Sequence, residues 1–76
     1  MKFIEEMAVV VSTNNEMFIG YLHGISDDCR ALLKHAVKVS SDQSPKDMAE
    51  NGVRSGNVTI LDTISVEVKE FYQCKI

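Results

Sequence analysis

The chain has 76 residues, a formal net charge of −3, 45% hydrophobic residues and 25% charged ones. That composition excludes wholesale disorder, and the length holds one domain with one modest core, a size at which association with further copies is a common source of stability. The acidic balance excludes a general basic face, so any nucleic-acid binding must rest on a few focused cationic or stacking groups.

Met7 to Thr13 is a short run rich in β-branched residues, which predicts a strand. Asn14-Asn15-Glu16 follows as a turn, since asparagine tolerates the positive φ that tight hairpins demand. A second strand runs from Met17 to Ile25, with Gly20 and Gly24 permitting a sharp bend or a close backbone approach. After the polar turn Ser26-Asp27-Asp28, the residues Cys29, Ala31, Leu33, Val37 and Val39 alternate with Arg30, Lys34, Lys38 and Ser40. This period of two predicts a half-buried third strand, although the Ala, Leu and Lys content of Asp28 to Val39 also admits a helix.

Residues 41–56 form a polar excursion with the only proline. Within it, Ser44-Pro45-Lys46-Asp47 resembles a helix start, and Gly52 is placed to end a helix of one or two turns. Val58 to Leu61 and Ile64 to Lys69 read as fourth and fifth strands pinched at Asp62-Thr63, with the tail from Glu70 extending the fifth. The expected fold is all-β: one domain over residues 1–76, built as a strongly bent five-stranded antiparallel SH3-like or OB-like barrel.

The second and third strands resemble the first motif of the Sm and LSm family, Gly-x-Leu-x-Gly-aromatic-Asp-x-x-Met-Asn-Leu-x-Leu with a small residue three positions on. Gly20, Leu22, Gly24, Leu33 and Ala36 match in register, and Ile25 stands at the aromatic position. The departures fall in the turn, where Ser26 replaces the Asp, Cys29 the Met, Arg30 the Asn and Ala31 the first Leu. The second motif is poorly kept, with Ile60-Leu61-Asp62-Thr63-Ile64-Ser65 at its place, and only residues 1–6 stand where the family has an N-terminal helix. The chain is similar to small divergent Sm-like proteins of bacteriophage, cyanophage-type, origin.

The resemblance implies a homo-oligomeric ring of roughly five to eight subunits, in which strand four of one copy pairs with strand five of the next. An open five-stranded sheet has two bare edges, and such pairing would satisfy both. It further implies a pore or ring face that binds single-stranded RNA or DNA, in processing or chaperoning, through Ser26, Cys29 and Arg30 of one turn and Leu61, Asp62 and Thr63 of the other. Arg30 is the strongest of these, because a guanidinium stacks on bases and grips phosphate, although it is equally suited to pair with Asp27 or Asp28. Loss of the motif's Asp and Asn removes the usual partners of a base edge.

Other chemistries are poorly served. His23, Cys29, His35 and Cys74 have the right types for zinc but lack ligand spacing, and Asp27-Asp28 are adjacent rather than paired across a cleft. No catalytic group, metal or cofactor is expected. The apolar runs fall short of the ~18 residues of a membrane span, and the acidic start Met1 to Glu6 does not resemble a signal peptide, which predicts a cytoplasmic protein, in the host cytoplasm if phage-encoded. The competing reading is an oligomeric protein scaffold or virion-associated module that binds no nucleic acid, favoured by the acidic surface.

Overall fold

The computed structural model describes residues 6–74, so the reduced N-terminal helix expected over residues 1–6 lies outside them save for Glu6. In chain order come β1 (Glu6–Ser12), β2 (Met17–Ile25), β3 (Arg30–Ser40), a short helix α1 (Pro45–Asn51) and β4 (Asn57–Gln73). All neighbouring strands are antiparallel, and the sheet closes in the order β1-β2-β3-β4 with β4 returning to β1.

The turns follow their local chemistry. Asn15 adopts φ 64, and its N–H donates to the Ser12 carbonyl at 2.9 Å to close the first hairpin. Ser44 caps α1 by accepting from the Asp47 N–H at 3.1 Å, Pro45 opens the helix, and Gly52 at φ 83 ends it. The segment from Asp28 to Val39 is strand, not helix, from Arg30 onward. Its alternation breaks only once, at His35, where φ is 53 and the pairing register shifts.

Two apolar clusters fill the fold. One consists only of strand residues, Val10, Phe18, Leu33, Ala36 and Val66, with Leu22, Ile64 and Val68 against it. The other lies under α1 and joins Met48 and Ala49 to Val9, Val39 and the partly buried Ile19, Val37 and Tyr72. Burying a side chain such as Leu33 contributes about 2–3 kcal/mol, so two such clusters serve a chain of this length. β1 contributes to both, which is why its run is apolar without interruption. Gly20 belongs to the close packing: a Cβ there would stand 3.1 Å from the Cα of Ala36 and 3.2 Å from the Cβ of Leu33.

Three expectations are corrected. There are four strands rather than five, because the predicted fourth and fifth are one continuous strand of 17 residues. Asp62-Thr63 does not break the chain, for Asp62 takes φ 73 opposite Ala36 and the bend is absorbed there as a bulge. The sheet is also not open, since Ala8 to Ser12 pair with Val68 to Gln73 inside the same chain. The exchange of partner comes later than the predicted pinch: β4 runs along β3 through Glu67 and along β1 from Val68. The cause is composition, because the β-branched run from Val58 to Val68 holds no glycine or proline that would end a strand.

Candidate nucleic-acid interface

The β2–β3 turn is a compact polar knot at one end of the ring of strands. Ser26 and Arg30 are joined by a backbone bond from the Ser26 N–H to the Arg30 carbonyl at 2.9 Å, and the Cys29 N–H donates to the Ser26 carbonyl at 3.0 Å. The Ser26 hydroxyl donates to the Asp28 carboxylate and accepts from the Arg30 N–H at 3.3 Å. Cys29 takes φ 62 to turn the corner, and its carbonyl accepts from the Val68 N–H at 2.9 Å, which ties the turn to β4.

Electrostatically the turn sets one cation, Arg30, against two carboxylates, Asp27 and Asp28. The Ser26 hydroxyl holds the Asp28 carboxyl below its ordinary pKa, with the Arg30 charge as a smaller contribution. Arg30 Nε lies 3.8 Å from Asp28, with the two side chains 50% and 68% exposed. An exposed pair of that length contributes little, and its guanidinium remains available to an anion that offers better geometry.

Arg30 separates two clefts. One, of about 270 Å³, is lined by Ser12, Thr13, Asn14, Phe18 and Glu67 among others. The second, of about 500 Å³ and more apolar, is lined by Gly24, Ile25, Ser26, Asp28 and Leu32, and both include Arg30 and Ser65. The arrangement offers one cation, several hydroxyls and apolar walls, which suits a phosphate with an adjoining base. Asp28 and Glu67 oppose that use.

Ser26, Cys29 and Arg30 are thus brought together, whereas Leu61, Asp62 and Thr63 are not with them. Asp62 lies opposite Ala36, while Arg30 lies opposite Glu67. Asp62 and Glu67 are five residues apart along β4, roughly 17 Å at the usual strand rise. The residues that do stand beside Arg30 are Ser65 and Glu67, which the sequence reading missed. A ladder counted outward from the Ser40–Asn57 pair would have found them, since it puts Arg30 across from Glu67.

The remaining candidates are scattered. His35 meets Tyr21 edge-on at a ring separation of 6.2 Å, Cys29 is exposed, and burial alone pushes up the pKa of the half-covered Cys74 thiol. Among the described residues, no three histidine, cysteine or acidic side chains are grouped to hold a metal, and no helix is long and apolar enough to cross a membrane. Comparison with protein-family models, curated proteins and solved structures finds no match to this chain.

Proposed function

We propose that the chain is an Sm-like small barrel that assembles with copies of itself into a ring and binds single-stranded nucleic acid, RNA before DNA, on the face formed by the β2–β3 turns. The observation that carries this reading is the exposed Arg30 between two clefts, flanked by Ser26 and Ser65. One arginine per subunit is a weak site. Repeated around a ring it becomes a circle of cations with apolar walls, which offsets the acidic total locally. The spacing of Gly20, Leu22, Gly24, Leu33 and Ala36 supports the same reading.

Self-association no longer rests on an open sheet. Its support is that each half of β4 has one strand neighbour among the described residues, β3 along 57–67 and β1 along 68–73. A second reading, a protein scaffold without nucleic acid, is favoured by the pairing of Arg30 with Asp28 and by Glu67 opposite it.

Native mass spectrometry with and without a short single-stranded oligonucleotide, joined to a titration at low salt, separates the readings. Wild type is expected to bind as an oligomer, and Arg30→Ala to lose about tenfold in affinity or more through the loss of a stacking, phosphate-gripping group at each subunit. Wild type that fails to bind at low salt overturns nucleic-acid recognition and leaves the scaffold.

A further inference from the structure

α1 ends on the chain's only Asn-Gly pair, Asn51-Gly52, with Asn51 exposed and Gly52 at φ 83. The pair is chemically labile, because glycine has no Cβ to hinder its own nitrogen from attacking the side-chain amide before it. In the fold both reacting groups are occupied. The Asn51 Nδ2–H donates to Asp47 Oδ1 at 2.9 Å, and the Gly52 N–H donates to the Met48 carbonyl at 2.8 Å. Gln43 fastens the same corner from the other side. Its Nε2 donates to Asp47 Oδ2 at 2.6 Å and to the Gly52 carbonyl at 2.8 Å, and its Oε1 accepts from the Arg54 N–H at 2.9 Å.

We propose that Asn51 is a site of spontaneous amide loss, held closed by the bonds from Gln43, Asp47 and Met48, and that its conversion to aspartate or isoaspartate releases α1 from the sheet. The step consumes water alone. Solvent hydroxide takes the Gly52 N–H proton, the nitrogen attacks Asn51 Cγ, and the Cγ–Nδ2 bond breaks as ammonia leaves on a proton from water, restoring the hydroxide. Water then opens the cyclic imide at either carbonyl, giving aspartate, or isoaspartate with one more backbone methylene. Two features of the fold oppose this. Helical backbone at Asn51 lies outside the ψ that the five-membered imide demands, and an N–H spent on a carbonyl gives up its proton only when the helix end opens.

Conversion undoes the helix through local charge. The donor that Asp47 accepts from at Asn51 becomes a carboxylate, one turn away and of like charge. It also stands at the helix C-terminus, the unfavourable end for an anion. Arg54 Nη2 lies 3.9 Å from Asp47 with its side chain 65% exposed, so it offsets the repulsion only weakly. Seven residues do not hold a helix without tertiary packing, so Met48 and Ala49 leave Val9 and Val39 and the cluster beneath is bared.

The test follows amide loss in the full chain at mildly alkaline pH, native and in guanidinium chloride, by peptide mass after digestion. Amide exchange of β1 confirms that each native sample is folded. Native wild type is expected to convert Asn51 at least about tenfold more slowly than the denatured chain, since only the open helix end reacts. Asp47→Ala and, as a second variant, Gln43→Ala are each expected to raise the native rate several-fold and to leave the denatured rate unchanged. Asn51→Asp is expected to speed amide exchange at Met48 and Gly52, whereas Asn51→Gln, which stays neutral, keeps it near wild type. Equal native and denatured rates, or a native rate that neither variant raises, overturn the closed site. Conversion of Asn14, Asn15 or Asn57 ahead of Asn51 in the denatured chain overturns the site itself, and unchanged exchange in Asn51→Asp overturns the release of α1.

Discussion

β1 and the first half of β4 are both short, β-branched and apolar, yet they meet opposite fates. Val9 and Val10 are wholly buried, because β1 has a strand on each side, the all-strand cluster on one face and α1 on the other. Residues 57–63 are exposed throughout, with one strand neighbour and no helix above them. Hydrophobicity sets what a segment can bury, and position in the sheet sets whether it does.

Substitutions sharpen the contrast. Val9→Ala removes two methyl groups from a closed site and is expected to cost about 2–3 kcal/mol in chemical denaturation, with the slope unchanged. Gly56→Ala should cost about 2 kcal/mol, because φ is 101 and a Cβ would stand 2.2 Å from the Ser40 carbonyl oxygen, straining the junction between the 41–56 loop and the exposed first half of β4. Ile60→Thr is expected to change the stability of dilute protein by less than about 0.5 kcal/mol. A loss near that of Val9→Ala, at a concentration where the chain is monomeric, would show that the first half of β4 is covered within one chain.

A smaller effect comes from pH. Hydrogen bonds from Gln43, then from Asn51, hold the folded Asp47 carboxyl below its ordinary pKa. A depressed folded pKa adds stability above the unfolded value and loses it as pH falls through the folded one. Acidification below the ordinary carboxylate range should therefore loosen the α1 loop in wild type, and Asp47→Asn should reduce that acid sensitivity, as read by amide exchange of Met48 and Gly52.

What was legible in the sequence was local. Asn15, Ser44, Pro45 and Gly52 act within a few residues, and the first hairpin and α1 lie where their chemistry put them. The alternation through Leu33 identified β3, and its single lapse at His35 was the bulge. The junction of β4 was not legible, because Asp62-Thr63 looks like a turn while the actual exchange between Glu67 and Val68 depends on where β1 and β3 end in space. Half of the candidate site went with it: Arg30 was found from a motif position, whereas Ser65 and Glu67 reach it only through the ladder.

The closure between β1 and β4 also bears on how the chain folds. Ala8 pairs with Gln73, more than sixty residues away. Bringing such distant segments together carries a large entropic penalty before any reward, so the seam is expected to zip late and to set the folding rate. Until then Val9 lacks its partner Tyr72, and a helix of seven residues is too short to persist without the surface they make together. Formation of α1 is thus a reporter of the final step.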